Sequence, residues 1–264
     1  LKNPSITNIM NYHKTYYVPN NMAICLSGDF DPDEMLAIIE KYFGQMEPNK
    51  DLPELKFETA SVIESPMSKD VYGLDAENIM IGWKYPGAGT HEAMVADVVS
   101  YILSNGSAGL IDLNLNQQQK VLGAQAMSYT RPDAGEFIIM ANPKHGQSLD
   151  EVKDLILAEI AKLRSGDFDE SLLTGTINNL KLQMMNLMEE NSDRADLYVQ
   201  SFINGTDWAD EVKRIDNLGK ISKQDVIEWA CKYLADNNYA VVYKRQGEDR
   251  TVQKRKPKCS HRST

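Results

Sequence analysis

An α+β domain, a mainly antiparallel sheet with helices packed on it, is the fold class this sequence predicts, and three observations predict it. Short apolar runs of strand character alternate with helix pairs. Two of those runs face each other across a Pro/Gly connection that suits a hairpin. There is no train of evenly spaced strand–helix units of the kind a parallel sheet needs. The composition allows a full core: of 264 residues, 42% are hydrophobic and 25% charged. That excludes collagen-like, disordered and disulfide-scaffold classes. At roughly 150 residues per domain, the length suits one large domain or two small ones.

Taken in order, Met22-Ala-Ile-Cys-Leu-Ser27 is an apolar run stopped by Gly28 and predicts a buried strand. A helix follows, capped by Asp31, with Pro32 at its first position, Glu34 three after the cap, and Met35, Ile38, Ile39, Tyr42 and Phe43 on one face before Gly44. Residues 45–58 carry two prolines and no period, which predicts a linker. Ile79–Trp83 reads as a strand and Tyr85–Gly89 as a turn. Near Thr90 a helix begins with the face Met94, Val95, Val98, Val99, Ile102 and Leu103, and a shorter helical stretch runs through Leu110, Ile111 and Leu115.

Ala124–Thr130 and Glu136–Ala141 are the hairpin strands, joined by Arg131-Pro-Asp-Ala-Gly135. Ser148 and Glu151 form a capping box ahead of Leu149, Val152, Leu155, Ile156, Ile160 and Leu163. Residues 169–190 predict another helix. A shorter one through Leu197 and Phe202 ends at Asn204-Gly205, and Ser222 with Asp225 starts one through Val226, Ile227 and Ala230. Tyr239–Tyr243 closes the body as a strand. The expected division is residues 1–50 as an opening strand–helix unit or the end of a preceding domain, 51–245 as the main α+β domain, and 246–264 as a disordered basic tail.

The net charge of −10 disfavours a polyanion such as nucleic acid as partner. Eight basic and two acidic side chains between Lys244 and Arg262 set the tail apart, but without interleaved aromatics it reads as a solvated tail rather than a nucleic-acid arm. No apolar run is long enough to span a bilayer, mean hydropathy is −0.43, and no signal peptide opens the chain. Because the sequence starts at Leu1 rather than methionine, it reads as a piece of something longer. Cys25, Cys231 and Cys259 show no C-x-x-C spacing and define neither a disulfide framework nor a zinc knuckle; Cys25 and Cys231 are expected in the core.

A hydrolytic zinc site needs three protein ligands and an open position, usually announced by a pair of helical histidines one turn apart. His13, His91, His145 and His261 lack such a partner. His91-Glu92 starts like H-E-x-x-H, but Val95 stands where the second ligand would be. A nucleophile elbow, a P-loop and G-x-G-x-x-G are absent, and Gly87-Ala-Gly89 is a loop. Asp29 and Asp31 lie close in sequence, but Asp31 reads as a cap rather than an acid or base. Met184, Met185, Leu187 and Met188 have the spacing of a core-facing helix, with an adaptable peptide-binding surface as the sharper alternative. By its residues alone the chain offers no catalytic residue and no metal ligand, and substrate-binding residues stay unassigned.

Tyr16-Tyr17-Val-Pro19-Asn20-Asn21-Met22, then Gly28-Asp29-Phe30-Asp31-Pro32 and a helix ending Lys41-Tyr42-Phe43-Gly44, resembles the opening of the non-catalytic, C-terminal domain in the N-terminal half of pitrilysin/insulinase zinc metallopeptidases. The resemblance continues through Trp83–Gly89, Asn105-Gly106-Ser107 and Asp133–Phe137, covering most of residues 12–190. Residues 194–245, with Trp208 and the final strand into Lys244-Arg245, are similar to the end of that half. From Arg255 on the chain departs from the family.

The resemblance implies a mitochondrial processing peptidase-like α+β fold within a clam-shell endopeptidase that encloses peptides in a chamber. In that family an inverted H-x-x-E-H helix and a downstream glutamate hold zinc in the preceding domain. No H-x-x-E-H occurs in this sequence, so no catalytic or zinc residue is carried over. The implied role is a non-catalytic wall of the peptide chamber that supports the catalytic domain. Its partners would be that domain and the other half of the same parent chain, with the parent's peptides as substrates and no membrane insertion. The alternative is a domain of a homologue lacking the zinc motif, acting as scaffold or partner subunit. Dimerisation through an exposed apolar face is a further expectation, and the compartment stays open between bacterial envelope, periplasm and cytoplasm.

Overall fold

Alternating apolar side chains organise the sheet. In the computed structural model, which describes residues 5–54 and 63–248, there are five strands: β1 (Met67–Gly73), β2 (Asn78–Tyr85), β3 (Gly123–Thr130), β4 (Gly135–Asn142) and β5 (Ala240–Gln246). Their order is β1-β5-β2-β4-β3, so the last strand inserts between the first two. Only the β1–β5 pair is parallel. Ile79, Ile81, Trp83 and Tyr85 of β2 sit directly across from Ala141, Ile139, Phe137 and Gly135 of β4. All but the glycine are among the buried apolar side chains of one face.

Against the sheet pack α3 (His91–Leu103), α4 (Leu149–Ser165) and α9 (Lys223–Tyr233). Each is started by the cap its sequence predicts: Thr90 Oγ1 accepts from Ala93 N, Ser148 Oγ from Glu151 N, and Ser222 with Asp225 closes a full capping box. The box at Ser148 is only half formed, because the Glu151 carboxylate takes the Gln147 amide instead. Trp229 of α9 ties the layers together. Its ring meets Phe137 and Tyr85 edge-on at 5.6 and 5.7 Å, and its Nε1 donates to the Glu92 carbonyl at 2.9 Å.

The chain divides into two compact units. The sheet unit (Val62–Thr130, Ala134–Thr176, Ile221–Thr264) holds the elements above. The helical unit (Leu1–Ser61, Arg131–Asp133, Ile177–Lys220) holds α1 (Ile6–Tyr16), α2 (Pro32–Phe43), α6 (Asn191–Asn204), α7 (Trp208–Val212) and α8 (Arg214–Leu218). Helix α5 (Glu170–Glu189) contributes its residues from Ile177 onward to the helical unit. Asp31 caps α2 by accepting from Asp33 N and Glu34 N. Gly205, at φ 64°, ends α6 in the left-handed conformation that glycine tolerates best.

Two expectations need correction. Met22–Ser27 is not a buried strand: among the described residues the segment pairs with no strand, and Met22, Ile24 and Leu26 are exposed. Local apolarity supplies strand propensity but cannot supply a neighbouring edge. Nor are both cysteines in the core, since Cys25 is half-buried and Cys231 exposed. Cys231 follows the buried stripe Val226, Trp229 and Ala230 by one residue, which turns it about 100° off that stripe. The expected linker lies partly, at residues 55–58, and the basic tail mostly, from residue 249, outside the described residues.

Candidate functional site

The residues that sequence reasoning singled out are dispersed. His91 is exposed at the start of α3, and Val95 is buried in the core. His13 lies on α1, stacked on Tyr17 at 4.6 Å, and His145 is exposed before α4; His261 and Cys259 lie outside the described residues. Asp31 is a cap and Asp29 is exposed. In the Gly87–Gly89 loop the Gly87 carbonyl accepts from Thr90 Oγ1 at 2.7 Å. Of the methionine cluster only Met184 is buried, while Met185 and Leu187 are exposed. Among the described residues, no three His, Cys, Asp or Glu side chains come together as a metal-holding group. The donor set present therefore does not fit a catalytic zinc, which takes three protein ligands.

The strongest polar constellations are ones the sequence did not reveal. Asp112 is buried in a single π-turn (Asp112–Asn116) after α3. Its Oδ2 accepts from the backbone N–H groups of Asn105, Gly106 and Gly109 at 2.8, 2.8 and 3.2 Å. Its Oδ1 takes Asn116 Nδ2 at 3.3 Å and Ser104 Oγ at 3.5 Å. Five donors leave little acceptor capacity for a substrate or an ion. The carboxylate instead folds the loop 104–109 onto itself, with Asn105 Oδ1 accepting from Ser107 N and Ala108 N.

Glu159 on α4 is likewise buried and occupied, by Asn114 Nδ2 at 2.7 Å and Lys162 Nζ at 2.8 Å. Asn116 pins the start of β3 through a two-way bond with Ala124, at 2.8 Å in each direction. Together Asp112, Asn114 and Asn116 join the π-turn to the α3 loop, to α4 and to the sheet.

Two tyrosines anchor further polar clusters. Burial pushes the Tyr85 hydroxyl up to about 12, against a smaller opposing effect of its 2.7 Å bond with Thr130. It is thus a neutral hydrogen-bonding group at ordinary pH. Tyr243 donates to Asp150 at 2.9 Å, with Lys153 bonded to both. Lys153 holds the Asp150 carboxyl below its usual range, and Asp150 in turn holds the ammonium above its own. In these two clusters the hydroxyls and the ammonium bond to neighbouring side chains.

The family profile described as the peptidase M16 inactive domain matches residues 5–180. A curated relative, "Zinc protease PqqE" of Helicobacter pylori, is 24% identical over 258 residues, covering 92% of this chain and 55% of the relative. The chain therefore spans about half the length of the curated relative it matches. A protease crystal structure from Helicobacter pylori superposes with a TM-score of 0.87 at 18% identity, covering 92% of this chain and 60% of that one. A peptidase M16 inactive domain from Pseudomonas fluorescens superposes with a TM-score of 0.79 at 13% identity, covering 93% and 58%.

Proposed function

The chain belongs to the peptidase M16 family through its inactive domain, and from that premise we propose that it is the non-catalytic domain of a zinc endopeptidase, walling the peptide chamber and supporting a companion catalytic domain in a longer parent chain. The observation that carries the reading is the match of the inactive-domain profile over residues 5–180. Two features support it. The buried carboxylates Asp112 and Glu159 are consumed by structural bonds, and the relative that is a zinc protease is nearly twice as long as the shared region. In this reading zinc and the activated water belong to the companion domain, and the peptides cleaved are the parent's substrates. This chain contributes a rigid surface built on β2, β4 and α3.

The test compares this chain with its parent. Metal analysis after dialysis and hydrolysis of a quenched fluorescent peptide should show neither stoichiometric zinc nor cleavage for the 264-residue chain. The parent should show both, with cleavage lost to a chelator. One tightly held zinc per 264-residue chain, with chelator-sensitive cleavage, overturns the proposal.

A further inference from the structure

Helix α5 is weak near its middle by composition. Its 20 residues run from Glu170 to Glu189, and six in a row, Thr174-Gly-Thr-Ile-Asn-Asn179, all belong to the poorer helix formers, with glycine the poorest of them. The six that follow, Leu180-Lys-Leu-Gln-Met-Met185, are all good ones. Packing does not call for the glycine: Gly175 is exposed, and a Cβ placed there would meet no neighbouring atom within 4 Å. The hydroxyls on either side also work against a straight helix. Thr174 Oγ1 donates back to the Glu170 carbonyl at 3.2 Å, a bond that tends to bend helices, and the Thr176 hydroxyl is buried with no partner among the described residues.

The division of the molecule falls in the same stretch. The chain passes from the sheet unit to the helical unit between Thr176 and Ile177, and it returns between Lys220 and Ile221, just after Gly219. Residues 177–220, which are the rest of α5 with α6, α7 and α8, therefore form an arm attached at two points, each within two residues of a glycine. Little core holds that arm. Among the described residues its buried apolar side chains are Ile177, Met184 and Leu218, whereas Leu182, Met185, Leu187, Phe202, Ile203 and Val212 are exposed. Segments with few buried contacts open at low free energy, and hinges are short stretches that absorb a change of φ and ψ. We propose that Thr174–Asn179 is a joint in α5, about which residues 177–220 change direction while the sheet unit keeps its form. The joint is a property of this chain alone and stands whether or not the parent cleaves peptides.

Amide hydrogen exchange on the 264-residue chain reads the joint directly. The N–H groups of residues 178–180 bond to carbonyls inside the stretch and those of 184–186 to carbonyls beyond it, so the first group should exchange at least tenfold faster than the second. Gly175→Ala, which the open space at that position accommodates, should slow the first group severalfold and leave the second unchanged. Asn179→Ala, inside the joint, should act in the same sense, and Asn186→Ala, the same replacement at an exposed position outside it, should leave residues 178–180 as they were. Movement of the arm is measured separately, by the distance distribution between spin labels at the exposed positions Gln200 on α6 and Glu136 on β4, in a chain carrying Cys25→Ser, Cys231→Ser and Cys259→Ser. That distribution should be broad and should narrow in Gly175→Ala. Uniform exchange along α5 overturns the inference. So does fast exchange at 178–180 with a distribution that Gly175→Ala leaves unmoved, which means local fraying without movement of the arm.

Discussion

Of the buried apolar side chains described, only Val18, Ile177, Met184 and Leu218 belong to the helical unit, whereas the sheet unit holds all the rest, including Trp83, Phe137 and Trp229. Helices α1 and α2 bury no residue at all, while α3 buries eight. Local signals are equally good in both units, since Asp31 caps α2 as Thr90 caps α3. Caps and periodicity form a helix; they do not give it a core. The sheet unit has what a domain needs to hold itself together, and the helical unit has the apolar faces without the cover.

The largest expected effect separates the two units directly. Phe137→Ala in the sheet core should cost about 3–5 kcal/mol in urea unfolding followed by tryptophan fluorescence. Leu36→Ala on α2 should stay within about 0.5 kcal/mol. Equal costs would break the comparison. Next comes Asp112→Asn, which retains one acceptor oxygen for the 104–109 loop but adds an amide among the donors; a loss of about 1–3 kcal/mol is expected in the same assay.

Capping sharpens the contrast at smaller scale. Ser222→Ala should lower the sheet-unit transition by about 1 kcal/mol, while Asp31→Ala should leave it where it is. The Asp225 carboxyl is held below the usual carboxylate range, first by the Ser222 hydroxyl and then by its backbone N–H. Stability from this bond is therefore present above the ordinary aspartate value and lost as pH falls through the depressed one. An acid titration of thermal midpoint should lose this step in Asp225→Asn.

The smallest effect near neutral pH comes from Tyr85. Its folded value of about 12 stands above the unfolded 10.0, so its contribution is intact below about pH 10 and lost as pH rises through about 12. A thermal-midpoint titration should show that alkaline loss in the native chain and not in Tyr85→Phe.

Much of the fold was legible where the determinants are local. The strands Ile79–Trp83 and Ala124–Thr130, the hairpin, and the helices starting after Thr90, Ser148 and Ser222 follow from alternation, caps and glycine stops. What failed is non-local. Strand β1 (MSKDVYG) carries no alternation because nearly every residue is exposed, so nothing in its composition announces a strand. Met22–Ser27 has the composition of a strand and lacks a partner among the described residues.

The absence of a histidine pair was legible, and so was the family, through Tyr16–Gly44. Asp112 was not, although an acid between Ile111 and Leu115 facing the glycine-bearing loop Asn105–Gly109 was a usable sign: such a loop turns several N–H groups toward one point and needs an acceptor there.

The wedge of β5 between β1 and β2 has a kinetic consequence. β1 and β2 are neighbours in the chain, yet Met67 pairs with Ala240, and Ile79 with Tyr243, so the edge of the sheet waits for a strand made long after its two neighbours. Contacts this distant along the chain close slowly. On a ribosome, β3 and β4 can zip onto β2 while β1 stays unpaired beside an empty track. Strand β5, once made, therefore acts as the key that locks the sheet, and a chain that lacks it carries open edges ready to meet those of its neighbours.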